Sequence, residues 1–320
     1  MLSLRVSTTA QLSPAVEGLL TAEPHISSLT VLRGASLQPL GDVFIADIPR
    51  ERANQLVDEL RRLGVHQEGT IALNPVETWI SRPGLTAEED APGQGDDAVV
   101  WAEVTERAYD DSHFNWTYLS FMVLATLLAS IAILTDSTIV LIGAMVLGPE
   151  FVPIAALGLA MVRKRPMLFR QALRTLILGF AISIAFTTTL ALILNLTNVV
   201  DFSELNSARP GTSFIYNVNW WSLAVALIAG AAGVLSLTSA KGSGLIGVFI
   251  SVTTIPASGN IALGLAYGIW SQVLGSGAQL VVNIAGMAIA GWLTLLLQQR
   301  IWTRTTLGKV RPAPLQRADQ

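Results

Sequence analysis

The sequence predicts an α-helical polytopic membrane protein. Six transmembrane helices are expected as a 3+3 inverted repeat with helices two and five broken, behind a small N-terminal α+β ferredoxin-like (βαββαβ) cytoplasmic domain. Three observations carry this. Of 320 residues, 51% are hydrophobic and 13% charged, against about 25% charged in an ordinary soluble domain, and mean hydropathy is +0.53. The charge is uneven: 26 of the 43 charged side chains lie in residues 1–115, 11 in 116–298 and 6 in the last 22. Finally, two long apolar segments hold Gly and Pro near their middles, where proline interrupts a continuous helix.

The first 81 residues alternate two periods. Leu2, Leu4 and Val6 repeat every second residue, residues 12–20 read as a helix, and residues 26–32 and 43–48 read as strands. Residues 50–63 carry Ala53, Leu56, Val57 and Leu60 at helical spacing, and 70–80 close as a strand. That order is βαββαβ, a fold that supplies no chemistry by itself. Met1–Pro14 lacks both the basic start and the apolar run of a signal peptide, so the head is expected on the cytoplasmic side. Residues 82–97 combine Pro, Gly and acids with almost no apolar content and read as a flexible linker. Over 98–115, Val100, Trp101, Val104 and Ala108 share one face, which predicts an amphipathic helix on the membrane surface, with a helix packed on the head as the alternative.

A span needs about 20 apolar residues. Residues 116–134, 137–162, 167–195, 220–239, 242–270 and 277–297 qualify, and a basic tail follows over 299–320. With the amino terminus inside, the inner connections and tail hold Arg163, Lys164, Arg165, Lys241, Arg300, Arg304, Lys309, Arg311 and Arg317, whereas the outer connections hold Arg209 alone. This asymmetry predicts a multi-pass protein of the cell membrane with both termini cytoplasmic. Trp116, Trp220, Trp221, Trp270 and Trp302 fall at span ends, as an aromatic belt requires.

Span two contains Gly148-Pro149 and Pro153, and span five contains Pro256, Gly259 and Asn260. Proline removes a backbone donor and clashes with the preceding turn, so both helices are expected to break at mid-depth. The two segments also share landmarks: Leu134-Thr135, Ile142-Gly143 and Gly158-Leu159-Ala160 reappear as Leu237-Thr238, Ile246-Gly247 and Gly264-Leu265-Ala266. Three spans per copy invert the second copy, the plan in which broken helices meet near the midplane around a solute or ion. The competing explanation is that Gly and Pro simply let helices pack closely.

The stretch "LSFMVLATLLASIAILTDSTIVLIGAMVLGPEFVPIAALGLAM", with its Leu134-Thr135-Asp136-Ser137 turn and paired prolines, resembles the bacterial and archaeal hydrophobic family known as domain of unknown function 389. The resemblance covers about residues 112–298. It implies a multi-pass prokaryotic membrane protein, often carrying a small soluble domain, with no assigned activity.

Candidate chemistry concentrates at the two breaks. Glu150 follows Gly148-Pro149, and a charged side chain at bilayer depth costs several kcal/mol unless it lines a cavity or finds a partner. Its readings are proton or cation coupling, or a carboxylate that caps the broken half-helix. The expected pathway comprises Glu150, Pro149, Pro153, Ser251, Thr253, Thr254, Pro256, Ser258, Asn260 and Asn283, with Gln279 facing the same cavity; buried amides that merely link helices are the alternative for Asn283 and Gln279. Asp136, in the short turn between spans one and two, is expected to cap a helix. Arg163-Lys164-Arg165 is expected to set topology, with anionic-lipid contact second. Gly242-Ser243-Gly244-Leu245-Ile246-Gly247 matches a dinucleotide fingerprint, but no strand precedes it.

No cysteine is present, and His25, His66 and His113 all precede the first apolar run. Disulfides, thiolate nucleophiles and Cys-based zinc sites are excluded, and no nucleophile–base pair stands at suggestive spacing. The sequence therefore predicts no enzyme activity, cofactor, metal or nucleic-acid partner. The expected partners are the lipid bilayer, a small solute or ion, and further copies of the chain, since Ala226/Gly230 and Gly286/Ala290 permit close helix approach, either between copies or within one chain. The functional expectation is a transporter or channel; its rival is a non-transporting sensor or scaffold whose head binds a ligand or partner.

Overall fold

The computed structural model describes residues 1–76, 78, 80–91, 99–197, 209–216, 219–238 and 253–305, the last five by backbone alone. Two compact units emerge, one built on Met1–Val104 and one on Thr105–Leu237 with Lys241–Gln299.

In the first unit, β1 (Leu2–Thr9), α1 (Ser13–Ala22), β2 (Ser28–Leu37), β3 (Leu40–Ile48), α2 (Arg50–Arg62), a short α3 (Val65–Glu68) and β4 (Thr70–Pro75) follow the predicted order. The strands form one antiparallel sheet in the order β2-β3-β1-β4, with Leu4 opposite both Ala46 and Leu73. Period-two apolar residues explain the register, because a one-residue slip would turn Leu2, Leu4 and Val6 out of the core. All three are fully buried, with Phe44 and Ile48 from β3 and Ala53, Leu56 and Leu60 from α2. β4 stops at Pro75, which has no N–H to continue the ladder, and Ile80, inside the expected strand, is 98% exposed.

Residues 82–90, expected within the linker, form a helix instead, α4 (Arg82–Asp90). The hydroxyl of Ser81 accepts from the Gly84 N–H at 3.1 Å, and Pro83 sits in the first turn, where its missing donor costs nothing. Composition signals solubility there, whereas the cap sets the helix. Residues 92–98 lie outside those described. Val100 joins the core of the first unit, and Asn54 of α2 donates to the Val99 carbonyl (2.6 Å) and accepts from the Trp101 N–H (2.9 Å). The helix α5 (Trp101–Asp111) thus starts packed on α2. The membrane-surface expectation for this face fails at Val100, where apolar burial inside the protein takes the place of lipid.

The second unit is helical: α6 (Trp116–Leu134), α7 (Thr138–Leu147), α8 (Phe151–Val162), α9 (Pro166–Leu196), a 3₁₀ turn (Ser213–Ile215), α10 (Trp220–Thr238), α11 (Thr254–Tyr267) and α12 (Trp270–Thr305). Four helices, α6, α9, α10 and α12, are long and apolar enough to cross a membrane, and α7 with α8 make a fifth if that pair is one span bent by 51°. These helices are those of a membrane protein. The expected six spans and inverted repeat are not reproduced as such. α11 has 14 residues, too few for a crossing of about 20, and the preceding residues 239–252, including Lys241 and the glycine-rich 242–247, lie outside those described.

Expected span six also begins earlier, at Trp270 rather than residue 277. Gly268 explains this. At φ +72° it takes the left-handed conformation that glycine accepts freely, its N–H donates to the Gly264 carbonyl, and α11 ends there in a tight turn. α6 and α9 run in the same direction, since the Thr175 hydroxyl donates to the Ser112 carbonyl and Gly179 meets the Tyr118 ring further along. Their close approach depends on Gly179, whose added Cβ would lie 2.8 Å from Tyr118 Cε1.

Candidate functional site at the broken helices

The break in span two falls where Gly148-Pro149 predicts it. α7 ends at Leu147, Gly148 is extended, and α8 begins after Glu150. A Cβ on Gly148 would collide with the Glu150 carboxylate and with Ile255. Glycine is therefore what lets the two breaks approach one another. Pro153 and Pro256 act differently from the mid-helix breakers expected: each is the third residue of its helix, α8 and α11 respectively. In a first turn the missing N–H had no intrahelical partner to lose, so these prolines start half-helices.

Glu150 stands at the N-cap of α8 and is 4% exposed. Its backbone carbonyl accepts from Ile154 N–H at 3.2 Å, but its side chain makes no capping bond. Instead Oε1 accepts from the Thr254 hydroxyl at 2.6 Å, the first residue of α11. Oε2 has no partner among the described residues. The side chain thus makes no capping bond to the following turn of α8, and one carboxylate oxygen is buried without a partner among the described residues. Leaving a buried carboxylate oxygen unpaired costs roughly 1–3 kcal/mol or more.

One residue earlier on α11, Thr253 turns to α12. Its hydroxyl oxygen accepts from Asn283 Nδ2 at 2.6 Å and Gln279 Nε2 at 3.2 Å. Gln279 Oε1 is buried and without a partner among the described residues. Thr253, Gln279 and Asn283 line a cavity of about 290 Å³ whose remaining wall includes Asn219, Ser222 and Trp221. Asn283 and Gln279 thus do face a cavity, and they also link helices; the two expectations for them coexist.

The other expected residues separate from this point. Ser258 lies 3.1 Å from the Thr126 hydroxyl of α6 and donates to its own helix at Ile255 O, 2.7 Å. Asn260 donates to Ser276 Oγ of α12 at 2.8 Å. Both are 1% exposed or less and hold helices together. Pro149 is half-buried in the break, Pro153 and Pro256 are buried, and Ser251 lies outside the described residues. The structure therefore brings together Glu150 with Thr254, and Thr253 with Asn283 and Gln279, at adjacent positions where one half-helix starts.

Several polar residues were not legible in the sequence. Thr126 and Ser130 on α6 look like ordinary span residues, yet they meet Ser258 and the Gly259 carbonyl. Asp136 does not cap α7; Ser137 does, accepting from Val140 N–H at 3.4 Å. Asp136, at φ +43°, instead accepts from the Gly211 N–H at 3.2 Å and the Thr212 hydroxyl at 2.8 Å. Nearby, Arg209 is 6% exposed, donates to Gln272 Oε1 at 2.8 Å and lies over the Tyr216 ring. The one signal in the sequence for this cluster is that Arg209 is the sole basic residue between the third and fourth expected spans.

Comparison with known proteins finds a similarity that covers this site. A model described as Domain of unknown function (DUF389) matches residues 145–289, a stretch that contains Glu150, Thr253, Thr254, Gln279 and Asn283. The chain is also similar to an uncharacterized protein of Methanocaldococcus jannaschii, 23% identical over 239 residues, covering 74% of this chain and 70% of that one. No solved structure gives a significant match. Over residues 145–289, then, the chain is similar to the family of the domain of unknown function 389.

Proposed function

We propose that the protein is a membrane transporter or channel for a small solute or ion, with its site where α8 and α11 begin. The observation that carries this reading is Glu150: a carboxylate at the start of one half-helix, bonded to the first residue of another, with one oxygen that has no partner among the described residues. Two half-helix starts place their unpaired N–H groups, and so partial positive charge, at the same point. Broken helices arranged in this way bind substrates or coupling ions in secondary transporters. The cavity at Thr253, Gln279 and Asn283 gives a solute of several heavy atoms, or a hydrated ion, room beside that point. Carbonyls, hydroxyls and amides would then set selectivity.

The test is reconstitution of the purified full-length protein into liposomes with a panel of inorganic ions and small solutes. Flux of at least one species above protein-free vesicles supports the reading; none across the panel, with the protein shown folded, favours a sensor or scaffold. The orientation belongs to the same reading. Nine basic residues against one favour both termini in the cytoplasm, so reporter fusions after Arg165 and after Leu307 should read cytoplasmic and fusions near Ser207 external. A cytoplasmic signal at Ser207 would reverse the assignment. Within the chain Gly286 packs on Ala226 and Gly230 on the Met287 backbone, which supports internal packing for these small residues.

A further inference from the structure

Between α8 and α9 the chain turns in three residues, Arg163, Lys164 and Arg165. The turn closes α8 with a hydrogen bond from Arg165 N–H to the Ala160 carbonyl at 2.9 Å and one from Arg163 N–H to Leu159 at 2.9 Å. In this helix ending the residue beyond the cap adopts the left-handed conformation and is usually glycine. Here that residue is Lys164, at φ +51°. A lysine stands where glycine would fold more easily, and a residue kept in a disfavoured backbone conformation points to a use for its side chain.

Lys164 lines a cavity of about 410 Å³ at the turn, together with Arg165 and Arg170. The rest of the lining is apolar: Ala160, Met161, Pro166 and Phe169. All three basic residues are exposed, and among the described residues none of them forms a salt bridge. The same cavity lies at the first turn of α9, a 31-residue helix that opens with Pro166 and adds partial positive charge from its unpaired amides. Three cations around an apolar floor, at the shared end of a spanning-length helix and its neighbour, match an amphipathic anion. A soluble acid would have no use for the Met161 and Phe169 side chains, whereas an acyl chain would lie along them.

We propose that this cavity binds an anionic phospholipid, with the headgroup phosphate held by Lys164, Arg165 and Arg170 and the first acyl carbons against Met161 and Phe169. The site is separate from the Glu150 cavity and stands whether or not the protein transports. A basic pocket between helices at the membrane surface is a recognised form of lipid headgroup site. Retention of dioleoylphosphatidylglycerol and dioleoylphosphatidylcholine by the purified full-length protein, followed by native mass spectrometry, tests it. The glycerol lipid should be retained preferentially. Lys164→Gly should fold at least as well, because glycine suits the backbone there, yet bind that lipid about fivefold more weakly, the loss expected for one basic contact. The triple change Lys164→Gly, Arg165→Gln, Arg170→Gln should reduce retention to the level of the choline lipid. Unchanged preference in the folded triple variant would overturn the site. Displacement of the lipid by millimolar inorganic phosphate would show a soluble-anion site and overturn the lipid assignment.

Discussion

Glu150→Gln is expected to leave the protein folded and to remove the pH or cation dependence of its flux. Glutamine keeps the size of the side chain and an oxygen able to accept from the Thr254 hydroxyl, which lies 2.6 Å from Oε1. What it removes is the charge on Oε2, the oxygen that has no partner among the described residues. A hydrogen bond to a charged group is worth roughly 1.5–3 kcal/mol, which corresponds to about ten- to hundredfold in binding. A bound cation, or a proton exchanged as the cavity changes sides, would lose that contribution. Initial flux rates in liposomes across pH and cation concentration measure it, with thermal unfolding in detergent as the folding control. Flux that keeps its dependence in the mutant would show that Glu150 couples nothing. Thr254→Val gives the companion result: it removes the hydroxyl donor to the carboxylate while leaving the charge, so it should alter the dependence rather than abolish it. Asn260→Ala should weaken the α11–α12 contact through Ser276 and leave the dependence intact, because Asn260 is engaged there at 2.8 Å.

How much of this was legible depended on which physical signal each part used. The head was readable because its sheet has one buried face, so Leu2, Leu4 and Val6 on β1 and Ala53, Leu56 and Leu60 on α2 write their burial into the sequence as periods of two and 3.6. The break at Gly148-Pro149 was readable because no uninterrupted helix tolerates that pair. Inside the apolar unit the signal fades. A helix that is hydrophobic on every side has no face to announce its neighbours, so Thr126 facing Ser258, or Tyr118 lying on Gly179, could not be foreseen. Gly268 was lost among many glycines, and only its φ of +72° separates a helix end from a packing residue. Thr253 and Thr254 were both named, but their opposite partners were not. Successive residues on a helix point about 100° apart, and one turns to Glu150 while the other turns to Asn283.

Gly230→Val should destabilise the helical unit more than any surface substitution, and the reason is backbone against backbone. A Cβ at Gly230 would sit 2.5 Å from the Met287 carbonyl oxygen and 2.6 Å from Met287 Cα. A side chain could rotate away, but the main chain of α12 cannot move without carrying the helix with it. The neighbouring contact is as close from the other side: a Cβ on Gly286 would lie 3.1 Å from that of Ala226. Close packing of this kind replaces the hydrophobic effect between helices in lipid, so prising α10 from α12 loses dispersion contacts along the whole face. Overpacking typically costs about 1–3 kcal/mol, and two methyl branches against a fixed backbone belong at the upper end or beyond. Gly230→Ala should fall between wild type and valine. Gly277→Ala supplies the contrast, since nothing lies within 4 Å of its added Cβ, and alanine should be neutral or stabilising there by up to about 1 kcal/mol. Unfolding midpoints in detergent should therefore rank Gly277→Ala at or above wild type, then Gly230→Ala, then Gly230→Val. Because the cavity side chains Gln279 and Asn283 also lie on α12, the valine variant should lose flux together with stability. A Gly230→Val protein as stable as wild type would mean that α10 and α12 do not meet at this glycine. A folded monomer that has lost only its self-association would instead assign the Ala226/Gly230 stripe to contact between copies of the chain.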